Sequence, residues 1–317
     1  MTRVGLYVDL RIPPGSAGAE VYRRTFDRIV AAEDRGLEAV WVTEHHGFAD
    51  GYLPAPLTAA AAIAARTRTL RVGTAVVIGP LVPVESLAEQ AAVVDLVAGG
   101  RLELGVGAGW RAAEFTRVGA DHRERYRTLE RQLRRLPELW ADGTVTPAPV
   151  QDPLPTWVGA RGPRGARLAG RVGAGLLWLD PALLAPYVEG LAAGGWAPDR
   201  ARVGGLVNVL LADDPDAAKD EVRTAARRNR ASYSGNDDAA ATKGDTTFPK
   251  LRVLTGQDAV AAVREQLAPL VEHVPVTDVF CFADLGGLPD DLVDRHLELV
   301  TDVLRPGLAP VPVGGAP

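Results

Sequence analysis

Residues 39–46, AVWVTEHH, change character midway: a short apolar run rich in β-branched and aromatic residues ends in a threonine, an acid and two adjacent histidines. Such a run reads as a buried strand, and the polar group at its C-terminal end reads as chemistry delivered by that strand. Glu44, His45 and His46 are therefore the first candidates for proton handling.

Outward from this strand the same unit repeats. Before it, residues 4–9 form an apolar run, and residues 19–35 carry Val21, Phe26, Ile29 and Val30 at helical spacing before Gly36. After it come a helix over 57–66, a strand over 70–78, a helix over 84–98 closed by Gly99-Gly100, and a strand over 102–106. A short segment around Glu114 and a charge-studded helix over 123–140 follow. Residues 143–155, with four prolines, form an irregular connection. Strands are then expected over 156–159, 175–179, 203–211 and 278–282, with helices over 164–171, 181–191, 216–229, 258–271 and 292–304.

Eight strand-like runs alternating with helices call for parallel strands joined by right-handed crossovers. The count suits an α/β fold of the (β/α)8 TIM-barrel type, a single domain with irregular insertions, over residues 1–305. A doubly wound open sheet is the alternative. The barrel is preferred because polar and glycine-rich groups recur after the second to fifth strands, where one closed mouth gathers them. Residues 232–250 are too polar to pack and read as a lid or a surface loop, and residues 306–317 read as a flexible tail.

Composition narrows the function. A net charge of −5 gives no general attraction for nucleic acid or anionic membrane, so a small-molecule substrate is the expected partner. The single cysteine, Cys281, lies in an apolar run, which excludes an intrachain disulfide and a cysteine metal cluster. The N-terminus lacks a signal-peptide pattern and no run approaches the roughly 20 apolar residues of a membrane span, so the chain reads as cytoplasmic. A metal at His45 and His46 would need a third ligand; His122, His273 and His296 fall in helical, amphipathic contexts, so no metal is expected.

Two further stretches carry chemistry. LELGVGAGW, residues 102–110, sets Gly105, Gly107 and Gly109 at a strand end, but Trp110 stands where a dinucleotide fingerprint needs glycine. These glycines either let a planar ligand lie against backbone, walled by Trp110, or simply let the chain turn. WVGARGPRGAR, residues 157–167, joins a strand to a helix start and carries Arg161, Arg164 and Arg167. Free N–H groups, helix dipole and guanidinium charge there favour an anion, Arg167 being the weaker candidate; a solvated basic turn is the alternative.

Residues 41–46 (WVTEHH), 54–74, 82–110, 122–126 (HRERY) and 155–175 together resemble, in order and spacing, the bacterial luciferase-like flavin monooxygenases and their deazaflavin-using relatives. The resemblance implies a TIM barrel with a reduced flavin at its C-terminal mouth. It implies a homodimer packed through the second and third helices, which the alanine-rich face 59–65 would suit. His45 then corresponds to the active-site histidine, with Glu44 beside it, and a non-proline cis peptide is expected near Thr74-Ala75-Val76. The implied cofactor-binding set is Thr74, Ala75, Gly107, Ala108, Gly109, Trp110, Tyr126, Gly159, Ala160, Arg161, Gly162 and Arg164. Ala108 stands where luciferases place a phosphate-binding arginine, so Arg161 and Arg164 are expected to supply that charge.

Reduced FMN with O2 is the first cofactor expectation, delivered by a separate NAD(P)H:flavin reductase. The alternatives are a hydride-transferring enzyme using coenzyme F420, to which the GAGW form points, and a non-catalytic flavin-binding barrel. Phe48, Tyr52, Leu53, Trp110 and Trp178 suggest a hydrophobic or aromatic substrate.

Overall fold

The computed structural model describes residues 2–234 and 251–309. Its strands are β1 (Arg3–Val8), β2 (Ala39–Val42), β3 (Arg71–Thr74), β4 (Val77–Ile78), β5 (Leu102–Gly107), β6 (Thr156–Gly159), β7 (Gly175–Leu177), β8 (Val203–Leu206), β9 (Val209–Leu211), β10 (Arg252–Leu254) and β11 (Val276–Phe282). Its α-helices are α1 (Gly18–Asp34), α2 (Pro56–Arg66), α3 (Val84–Ala98), α4 (Ala112–Val118), α5 (Arg125–Ala141), α6 (Pro163–Arg171), α7 (Leu184–Ala193), α8 (Pro215–Ser234), α9 (Gly256–Val271), α10 (Asp290–Leu299) and α11 (Arg305–Leu308).

Parallel pairing runs β3-β2-β1-β11-β8-β7-β6-β5, and β3 pairs back onto β5. That last pairing closes an eight-stranded barrel with the helices outside, so the open-sheet alternative is discarded.

Two expected strands are each broken. The run over 70–78 divides at a cis peptide between Ala75 and Val76, where the family resemblance placed one, and β4 continues along β5. The run over 203–211 divides at Val207 and Asn208. There β9 leaves the barrel to pair with β10, a three-residue strand too short to stand out in the sequence. The last expected helix, 292–304, is an α-helix over Asp290–Leu299 that widens into a π-helical turn at Val300–Leu304. Of the segment expected as a lid, Ser232 to Ser234 end α8 and residues 235–250 lie outside the described residues. Of the expected tail, Pro306 to Leu308 belong to the helix Arg305–Leu308, and residues 310–317 lie outside them.

The inside of the barrel is layered because strand side chains alternate between the two faces. At the N-terminal end Arg3 pairs with Asp278 and Glu103, each at 2.8 Å, and Arg71 pairs with Glu103 at 2.6 Å. Above that charged layer Trp41 and Trp157 cross edge to face, 5.8 Å between ring centroids, and Phe280 stacks on Trp41 at 5.3 Å. Trp157 Nε1 donates to Glu103 at 2.7 Å, tying the two layers together. These large rings fit only because glycine faces them: a Cβ at Gly73 would overlap the Trp41 ring, and one at Gly175 the Trp157 ring. At the C-terminal end the inward residues are small or aromatic, and a cavity remains.

Candidate active site

The cavity occupies about 230 Å³ at the C-terminal mouth. His45 reaches it from just past β2, Thr43 and His45 continuing the inward-facing alternation of Ala39 and Trp41, while Glu44 borders the cavity and turns its carboxylate to His46. That alternation decides the pairing. His46 Nε2 meets Glu44 Oε1 at 2.6 Å, and the backbone N–H of Ile78 donates to Glu44 Oε2 at 2.6 Å. Glu44, expected beside His45, is there at the cavity edge, but its carboxylate pairs with His46 and the β4 backbone rather than with His45.

His45 Nδ1 instead lies 2.8 Å from Glu114 Oε1, a buried carboxylate on α4. The same oxygen accepts the backbone N–H of His46 at 3.0 Å and is 3.4 Å from Arg111 Nη1. Burial opposes ionisation of Glu114, but His45, the His46 N–H and Arg111 together hold its carboxyl below the usual range. A carboxylate can only accept, so Nδ1 carries the proton in neutral His45 and Nε2 is the exchanging nitrogen. The hydrogen bond that His46 Nε2–H donates to Glu44 raises the pKa of His46 despite the opposing effect of burial.

Aromatic rings surround His45: Tyr52 at 4.9 Å, Phe48 at 5.0 Å, Tyr233 at 5.6 Å and Trp110 at 5.9 Å between centroids. Arg111 is buried against the Phe48 ring at 4.4 Å.

Most of the residues expected to hold a cofactor converge here. Ala75, Gly107, Ala108, Gly109 and Trp110 line one side of the cavity, and Tyr126, Gly159, Ala160 and Arg161 another. Thr74 does not. It is fully buried, its Oγ1 donating to Gly105 O at 2.7 Å and accepting from Gly105 N at 2.9 Å, so it closes the barrel wall. Gly105 likewise makes room for the Thr74 carbonyl and forms no part of a ligand bed. Gly162 and Arg164 also stand off the wall. Gly162 caps α6, and the Arg164 guanidinium lies 4.3 Å over the Tyr126 ring, with Arg161 5.1 Å over Trp178. Arg161 and Arg164 thus flank the N-terminus of α6 at one end of the cavity.

Sequence reasoning missed Tyr7, Thr43, Val76, Leu206 and Phe280, whose inward register was available from alternation, and Tyr233, which a distant helix end brings in. Glu114 was also missed; nothing near it in the chain marks it.

The floor suits a planar ring. A Cβ at Gly107 would come within 2.5 Å of Val76, and one at Gly159 within 2.7 Å, so the floor stays flat backbone around one aliphatic side chain. A flavin, flat at one end and phosphorylated at the other, fits a flat floor with cations at its edge.

A family model described as luciferase-like monooxygenase matches residues 2–270. An F420-dependent glucose-6-phosphate dehydrogenase from Kineococcus radiotolerans is 31% identical over 222 residues, covering 61% of this chain and 65% of that one. The oxygenase component of a flavin-dependent trigonelline monooxygenase from Acinetobacter baylyi is 28% identical over 184 residues, 53% of this chain and 51% of that one. The match thus spans less than two thirds of either relative's length. Among solved structures, monooxygenase RslO1 from Streptomyces bottropensis superposes with a TM-score of 0.81 at 21% identity, over 96% of this chain and 99% of that one, a likeness of fold.

Proposed function

Because the chain belongs to the luciferase-like monooxygenase family, we propose that this enzyme is a flavin-dependent monooxygenase that uses reduced FMN and O2 to oxygenate a small, mainly apolar substrate. The observation that carries the reading is the His45–Glu114 pair at 2.8 Å, facing a cavity with a flat glycine floor. When bound, reduced flavin supplies the electrons with which O2 is activated.

The protein's own residues supply the rest. Gly107, Gly159 and Val76 would seat the ring, and Arg161, Arg164 and the α6 N-terminus would hold the phosphate. Trp110 and Tyr126 border the ring, and Gly109 and Ala160 let backbone approach it. Glu114 fixes the orientation and tautomer of His45, and His45 Nε2 takes or returns a proton at the reacting centre. Phe48, Trp110 and Tyr233 exclude water around that ring. Glu44, held by His46 and Ile78 N–H, sets the strand end from which His45 projects.

The oxygenase-component relative supports a separate NAD(P)H:flavin reductase as partner. The exposed apolar side chains Val93, Leu96 and Val97 on α3 support a homodimer. The F420-dependent relative supports a second reading, hydride transfer through the same His45 without O2.

Titration of the protein with reduced FMN and with reduced F420 under nitrogen, followed by admission of O2, tests the two. Tight binding of FMNH2 and substrate-dependent O2 consumption is the expected result. Binding of reduced F420 alone, with anaerobic turnover, would replace this reading with the second.

A further inference from the structure

Four hydroxyl groups meet on the cavity wall beside His45, and the proton chemistry above uses none of them. Tyr52 Oη is the hub: it lies 3.3 Å from Tyr7 Oη, donates to Thr43 Oγ1 at 3.3 Å and accepts from Tyr233 Oη at 3.3 Å. Tyr7, Thr43 and Tyr233 line the cavity, and Tyr52 is buried behind them. Hydroxyl pairs usually close to about 2.7–2.8 Å, so Tyr7 and Thr43 can turn to a better-placed partner without giving up a strong bond.

The charge behind this wall is already matched. Arg11, 4.4 Å from the centre of the Tyr52 ring and 4.9 Å from that of Tyr233, is paired with Asp9 at 2.8 Å and with Asp50. An anionic guest would find no unmatched cation there, whereas an uncharged acceptor would find the hydroxyl hydrogens of Tyr7 and Thr43, which can turn towards it. Burial raises the pKa of Tyr7, Tyr52 and Tyr233, which keeps all three protonated near neutral pH. Elsewhere the wall is apolar, through Trp110, Leu206 and Phe280. Donors converging beside apolar rings match an oxygen with lone pairs and no hydrogen of its own.

We infer that the Tyr7 and Thr43 hydroxyls, held in place by Tyr52 and Tyr233 behind and beside them, form the subsite for the substrate's own oxygen, and that the substrate is an uncharged, flat carbonyl compound whose C=O points away from Arg161 and lies beside His45. This rests on the proposed reading of the cavity as the reaction site.

Ligand-observed NMR titrations of the full chain with acetophenone, isopropylbenzene and benzoate test it, because the three share a ring and differ in oxygen and charge. Acetophenone should bind about tenfold or more tighter than isopropylbenzene, the discrimination expected when an analogue leaves buried donors unpaired. Benzoate should bind more weakly than acetophenone. Tyr7→Phe and Thr43→Val should each reduce the ketone preference to roughly twofold, leaving isopropylbenzene affinity unchanged, which also shows that the variants fold. No ketone preference in the parent protein, a preference unchanged in both variants, or tighter binding of benzoate would overturn the proposal. Flavin titration of the same samples is read separately: a chain that bound no flavin but kept the ketone preference and its loss in the variants would discard the proposed function and support this subsite.

Discussion

His45 takes its orientation from a residue 69 positions away, so its reactivity is a product of tertiary contact. His45→Ala is expected to lower turnover by about 100-fold or more, the scale of a lost general acid or base. Glu114→Gln keeps the shape but removes the charged acceptor, and kcat is expected to fall roughly 10- to 100-fold, a charge-assisted hydrogen bond being worth roughly 1.5–3 kcal/mol. Steady-state kinetics should place that loss in kcat, with KM for flavin close to the parent value. Gly159→Ala tests the floor. The new methyl meets Val76 and lifts it into the cavity, so flavin affinity measured by fluorescence titration should fall by about tenfold or more. Part of this arrangement is legible in the sequence. Alternation alone puts Thr43 with His45 and Glu44 with His46, which is enough to separate Glu44 from His45. The choice of Glu114 over other acids is not legible, because it depends on where α4 folds back across the mouth.

Strands and helices announce themselves where burial imposes a period, which is why the eight barrel strands and the helices between them are readable from apolar runs. The breaks within the runs over 70–78 and 203–211 are not. Both halves are apolar, and only pairing partners distinguish them. His296 shows what such a break requires. On α10 it accepts the N–H of Leu211 at Nδ1, 3.0 Å away, and donates from Nε2 to the carbonyl of Phe282 at 2.9 Å, satisfying backbone where β9 departs from β11. Burial pushes its pKa down to about 4 against the opposing backbone hydrogen bonds. An unfolded histidine titrates near 6.5, so between these values the unfolded chain binds more protons. The contribution, about 3 kcal/mol from that gap, is complete above about pH 6.5 and is lost as pH falls towards 4. Urea midpoints at pH 7 and pH 5 should show the drop, and His296→Asn should flatten it. The α6 N-terminus makes a second element-level prediction: Arg161→Ala with Arg164→Ala should weaken FMN binding by about tenfold or more while leaving riboflavin, which lacks the phosphate, little affected.

The whole chain assembles its site by closing a barrel. The mouth is formed by loops after β2, β5 and β6 that are far apart in sequence and adjacent only once β3 meets β5. The outer surface of the same barrel carries Val93, 46% exposed, with Leu96 and Val97 each at 44%, in one patch on α3. Leu96→Glu is expected to halve the particle mass in analytical ultracentrifugation, with the melting temperature of the monomer lowered. No helix among the described residues is long and apolar enough to cross a membrane.

The charged layer of Arg3, Arg71, Glu103 and Asp278, with the crossed tryptophans above it, makes the tube a blind alley. On the proposed function, cofactor and substrate share the C-terminal mouth, and whichever enters second is expected to sit nearer solvent. Traffic through such a corridor would be last in, first out, so product-inhibition patterns in steady-state kinetics should show product leaving before spent flavin. The plug at the far end of the barrel, remote from the proposed site, would thereby set the order of events at the near end.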